Sequence, residues 1–119
     1  MNDRARALEF VRGSEHMTLA VIAHGEPWAV PVRIQTIDGF ILEWDSHPEA
    51  VHSQAIESHP TVSISIFRPK NGETMEFGFY AIAEATKVAD IHDQKARYRA
   101  VVTKAWVNDH THQKRDVEV

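Results

Sequence analysis

Eight histidines invite a search for metal ligands. Their closest approach to a ligand pattern is His110-x-His112 with Asp109 adjacent, and that pair lacks a third ligand at a fixed spacing. No specific metal site is expected. Cysteine is absent, which removes disulfides, thiol catalysis and thiolate ligation. There is no Gly-rich phosphate loop, no Ser/His/Asp set with positional support, and no side chain that stands out as a general acid or base. What remains is a polar stretch around Ser46-His47-Pro48-Glu49. Serine followed three residues later by glutamate is the capping-box pattern, and proline is well tolerated in a first helical turn. On that reading Ser46 caps a helix and His52 lies one turn into it. Arg33 belongs to the polar face of the preceding strand. Each also has an ordinary explanation, as a cap, a partly exposed helix histidine and a solvated strand residue.

The elements that must position these residues are short. Ala7, Leu8, Phe10 and Val11 among charged residues predict an amphipathic helix over Asp3 to Glu15. Met17 to Ala23 is an apolar strand closed by a turn at His24-Gly25-Glu26-Pro27. From Trp28 the chain alternates, with Trp28, Val30, Val32 and Ile34 on one face and Ala29, Pro31, Arg33 and Gln35 on the other. Pro31 cannot donate a ladder hydrogen bond, so this strand belongs at an edge or bulge. Asp38-Gly39 signals a tight hairpin into Phe40 to Asp45. The capped helix runs to about His59 and is ended by Pro60. Thr61 to Phe67 is a strand with Val62, Ile64 and Ile66 inward. After a loop at Arg68 to Gly72, Thr74 to Val88 reads as one long strand, with Gly78 a kink or close-approach point. Asp90 to Val107 reads as a helix. The polar tail, Asn108 to Val119, reads as a flexible end or a final short strand. Strands joined by tight turns around one inserted helix describe a mainly β protein, a small antiparallel barrel rather than a parallel α/β sheet.

A length of 119 residues fits one domain, residues 1 to 119. The net charge of −4 argues against broad nucleic-acid or anionic-membrane binding, which need a basic surface. No stretch has the length of a membrane span or the layout of a signal peptide, so the expected address is the cytoplasm.

One region has a specific skeleton: Pro27-Trp28, Pro31-Val32, Asp38-Gly39, Trp44-Asp45-Ser46, Pro48, His52-Ser53, Ile56, Pro60, then Val62-Ser63-Ile64-Ser65-Ile66-Phe67. In order and spacing it resembles the core of the pyridoxamine 5′-phosphate oxidase-like flavin-binding split β-barrels. There a P-W-x-x-P-V strand pairs with a W-x-S strand, and a helix bearing H-S-x-x-I-x-x-x-P leads into a V-x-I-x-I-F strand.

The resemblance implies a homodimer that binds FMN at the subunit interface. Its phosphate would lie by Ser46, His52 and Ser53 at the helix start, where free backbone N–H groups suit a dianion, with Arg33 as the nearest permanent cation. The backbone at Val30, Pro31 and Val32 would face the flavin rim, Trp44 would pack on the ring system, and Met75 to Phe79 of the partner would close the site. Trp28, Trp44 and Phe77 or Phe79 are the expected dimer surface. The resemblance further implies a flavin-dependent oxidoreductase, with a non-catalytic flavin, deazaflavin or haem binder as the alternative. Three positions depart from the family pattern: Asp45 beside the phosphate, Val51 where a second basic residue is common, and Tyr80-Ala81-Ile82-Ala83 in place of Y-x-x-G. Trp106 and Arg115 have only superficially the spacing of the substrate-binding C-terminal segment of true pyridoxamine-phosphate oxidases, so vitamin B6 oxidation is not the expected activity.

Overall fold

A computed structural model describes all residues, 1–119. Helix α1 (Asp3–Arg12) starts where Asn2 Oδ1 accepts from the Ala5 N–H at 2.8 Å, the side-chain cap that an asparagine supplies. It turns Ala7, Phe10 and Val11 inward. Strands β1 (His16–Ala23) and β2 (Glu26–Arg33) form a hairpin in which His24 and Gly25 both have positive φ, 54° and 77°. Two left-handed residues in a two-residue loop suit the strand twist. β3 (Thr36–Asp38) turns into β4 (Ile41–Ser46) through Gly39 at φ 59°. Then follow α2 (Val51–Ser58), β5 (Thr61–Arg68), β6 (Phe77–Asp90), β7 (Ala96–Asn108) and β8 (Arg115–Val117).

All strand pairs are antiparallel, in the order β2-β1-β5-β6-β7-β4-β3, with β8 added to β7. The two ends of this order are consecutive in the chain: β2 pairs with β1, bends at Ile34-Gln35, and continues as β3 on β4. Only Ile34 N–H to Glu15 C=O and Gln35 N–H to Glu43 C=O, both 2.8 Å, hold that corner. Past it, β2 and β4 are neighbours without ladder hydrogen bonds. The barrel is therefore closed at one corner and split beside it. Pro31 lies on the strand at the open end of this order, where a missing N–H costs no ladder bond.

The interior follows the period-two pattern. Met17, Leu19 and Val21, then Val62, Ile64 and Ile66, and Leu42 and Trp44 are all buried. The expected helix over Asp90 to Val107 is instead β7. Ala96, Tyr98, Ala100 and Val102 are buried, while Arg99, Val101 and Thr103 are exposed, an alternation no helix can present. The helix begins later than expected too. Ser46 ends β4, His47 to Ala50 make a turn closed by Ala50 N–H to His47 C=O, and α2 is entered at Ala50 with no side-chain cap. The capping box does not form. Gly78 is a close-approach point: a Cβ there would lie 2.6 Å from Asn108 Oδ1 and 2.7 Å from Tyr80 Oη. No helix is long and apolar enough to cross a membrane.

Candidate functional site

β4 delivers Ser46 to its C-terminal end, and α2 turns back from there. Ser46 Oγ and His52 Nε2 are 2.9 Å apart, both half-buried. Burial alone holds the His52 imidazole below its ordinary value, so near pH 7 it is neutral and which atom donates depends on the tautomer. Because Ala50 offers no side-chain acceptor, the first amides of α2 lack a side-chain partner. Ser53 sits in that first turn, fully buried, and its Oγ has no hydrogen-bond partner. The Ser53 hydroxyl is enclosed in the core, as Trp44 is, so the donors left for a phosphate here are the uncapped amides of α2 and Ser46 Oγ.

The negative charge at Asp45 is answered from a residue that the helical reading of Asp90 to Val107 hid. Arg97 forks onto Asp45, through Nε to Oδ1 and through Nη2 to Oδ2 at 3.1 Å. It also reaches Glu43 Oε1 at 3.5 Å, while Arg99 Nε donates to Glu43 Oε2 at 2.6 Å. Burial raises the Glu43 carboxyl, but the hydrogen bonds from Arg99, Thr36 and Arg97 outweigh it and leave Glu43 below the usual carboxylate range. Arg33 is not drawn into this network. It is exposed, makes no ion pair, and projects from β2. Val30 and Pro31 lie on the same strand, half-buried and exposed, and Val32 points into the core.

Trp44 does not meet its expectation. It is on the inward face of β4 and fully buried, stacked on Tyr98 with ring centroids 5.9 Å apart, so no face is left for a flavin. Phe77 and Phe79 are likewise core residues, packed on Phe10 at 4.8 Å and Phe40 at 6.1 Å. Of the expected dimer surface only Trp28 is exposed, at 48%. Apolar side chains gather elsewhere, on the outer face of β1, β2, β5, β6 and β7, where Ala20, Ile22, Ala29, Ile82 and Trp106 face away from the core, with Lys104 paired beside Ile82. A hollow of about 300 Å³ opens on it between Tyr80, Trp106 and Lys114. No group of three or more His, Asp or Glu side chains is gathered where it could hold a metal ion.

No family model and no curated protein sequence matches the chain. Solved structures do. A protein related to general stress protein 26, of the pyridoxinephosphate oxidase family, from Clostridium acetobutylicum superposes with a TM-score of 0.79 at 9% identity, over 99% of this chain and 97% of that one. The fold is that of the pyridoxamine 5′-phosphate oxidase-like split barrels. An FAD-binding protein from Mesorhizobium loti shares it at TM-score 0.78 and 12% identity, over 92% of this chain and 95% of its own. So does a haem-binding protein from Mycobacterium smegmatis, at TM-score 0.85 and 13% identity, where 98% of this chain covers 58% of that one. One split barrel thus serves proteins that bind different cofactors.

Proposed function

We propose that this protein binds FMN as a homodimer and works as a flavin-dependent oxidoreductase. The observation that carries the reading is the Ser46–His52 pair at the uncapped start of α2. These groups fit a phosphate. The Ser46 hydroxyl and the α2 amides donate to its oxygens, and a dianion beside His52 draws a proton onto the imidazole against the effect of burial. Arg97 holds the Asp45 carboxylate, which removes the repulsion that this departure from the family pattern would otherwise bring. Arg33, free of ion pairs on β2, is the cation available on the other side of the split. When bound, the flavin supplies hydride or electron transfer, and the chain contributes binding, orientation and exclusion of water.

The second copy covers the largely apolar outer face around Ile22, Ile82 and Trp106. An exposed apolar patch on an edge-rich sheet is what a symmetric partner buries.

A second reading, a non-catalytic flavin, deazaflavin or haem binder, is favoured by one feature: no permanent cation touches the Ser46–His52 pair. Purification followed by absorption spectroscopy separates the two. The flavin reading expects a yellow protein that releases FMN on denaturation, one per subunit, and bleaches with a reductant. A colourless protein that takes up no added FMN contradicts it. A haem spectrum, or FMN that is bound but never turned over with any electron donor, favours the second reading.

A further inference from the structure

Away from the split, at the end of the barrel closed by α1, two arginines converge on one hollow. Arg68 ends β5 opposite Phe77 of β6, and Arg6 and Phe10 lie one turn apart on α1. The pairing is crossed. The Arg6 guanidinium of the helix lies over Phe77 of the sheet at 5.0 Å, and the Arg68 guanidinium of the sheet lies over Phe10 of the helix at 5.1 Å. The two rings themselves are tilted together at 4.8 Å. The hollow between them measures about 680 Å³ and is bounded by Met1, Glu9 and Gly13 as well, a size suited to a small molecule.

Cation–π attraction holds each guanidinium by its ring without drawing on its N–H donors, of which only Arg6 Nη1 has a partner, Asp109. Arg68 makes no ion pair, and Glu9 makes none with either arginine. Arg6 has only long contacts, 3.7 Å to Asp3 and 3.5 Å to Asp109, at the outer limit of a charge-assisted hydrogen bond. Two arginines and one glutamate leave the lining with a net positive charge. Ordering two long side chains usually costs entropy on binding, and here that cost is met in folding.

We propose that this hollow is a second ligand site, distinct from the α2 site, which takes a small organic oxyanion between Arg6 and Arg68 with its apolar body toward Met1 and the phenylalanine edges. Nothing in it depends on FMN binding.

Phenyl phosphate is a suitable probe, titrated calorimetrically into the purified protein. Saturable binding with a dissociation constant on the order of 0.1–1 mM is expected. Arg68→Gln, an exposed change that leaves both rings in place, is expected to weaken it about tenfold or more, since a charged donor is lost. Glu9→Gln is expected to tighten it severalfold by removing the one negative wall. His52→Ala should leave it unaltered. No saturable binding, or equal affinity in wild type and Arg68→Gln, overturns the proposal. So does a loss confined to His52→Ala, which would put the probe at α2.

Discussion

Tyr98→Phe is expected to stabilise this protein. The Tyr98 side chain is fully buried on β7 and its hydroxyl meets no acceptor. A buried donor without a partner costs roughly 1–3 kcal/mol relative to its solvated state. Removing one oxygen keeps the ring and hence the stack on Trp44 at 5.9 Å, and the small void left behind offsets part of the gain. A net stabilisation of about 1 kcal/mol remains, which with a urea m-value of about 2 kcal/mol/M moves the unfolding midpoint up by roughly 0.5 M. Tyr80→Phe supplies the contrast. Tyr80 Oη donates to Asn108 Oδ1 at 3.3 Å in a half-buried setting, so its removal should cost up to about 1 kcal/mol. Opposite signs for two identical substitutions on adjacent strands are the expected result of urea titrations followed by circular dichroism. A loss of stability in Tyr98→Phe of the size expected for Tyr80→Phe would refute the reasoning, because it would mean that the Tyr98 hydroxyl has a partner.

Acid should unlatch α1. Asp109 is lowered well below the carboxylate range by the Thr111 amide, Arg115 and the Thr111 hydroxyl, and Asp3 is lowered by its hydrogen bond to Arg115. Both folded values lie below the unfolded ones, so this stability is present above about pH 4 and is lost as pH falls further; denaturant midpoints between pH 7 and 3 should fall less steeply in Asp109→Asn than in wild type. Arg97→Gln strands the partly buried Asp45 carboxylate, while Glu43 keeps Arg99 and Thr36, and should cost about 1–3 kcal/mol in urea titrations while also weakening FMN. Ile22→Glu adds a negative charge to the apolar part of the outer face, at a residue 41% exposed in the single subunit; light scattering should show a folded monomer where wild type is expected to be a dimer, and a wild type that is monomeric at micromolar concentration contradicts the partner proposed for this face.

Much of the barrel could be read from local signals. His24-Gly25 and Gly39 mark hairpin turns because positive φ there is cheap for glycine and tolerable for histidine, and Val62, Ile64 and Ile66 alternate as a buried strand face must. β7 was obscured because Ala, Arg, Lys and Gln favour helices, and propensity competes with pattern where the apolar positions are small alanines. The alternation of Ala96, Tyr98, Ala100 and Val102, with valine, threonine and tryptophan following, was the signal that points to a strand. That miss hid Arg97, the cation that neutralises Asp45, and Tyr98, the residue that holds Trp44 in the core. The groups at the start of α2 were legible in type but not in arrangement: Ser46 looks like a cap by spacing, whereas a turn over His47 to Ala50 precedes the helix and leaves the hydroxyl 2.9 Å from His52. Trp44, Phe77 and Phe79 suit a core or an interface equally by type, and only the strand register places them inside.

FMN and riboflavin affinities of wild type and His52→Ala, measured by quenching of flavin fluorescence, test the central claim most directly. His52 faces Ser46 at 2.9 Å, while α2 is held in the core by Ser53, Ala55 and Ile56, so the substitution removes a donor and leaves the helix seated. Losing one charge-assisted hydrogen bond to phosphate should weaken FMN by roughly tenfold or more, and riboflavin, which has no phosphate, should bind both proteins alike. Equal FMN affinity in the two proteins would contradict the assignment of the phosphate to the start of α2, and an equal loss for riboflavin would trace the effect to packing instead.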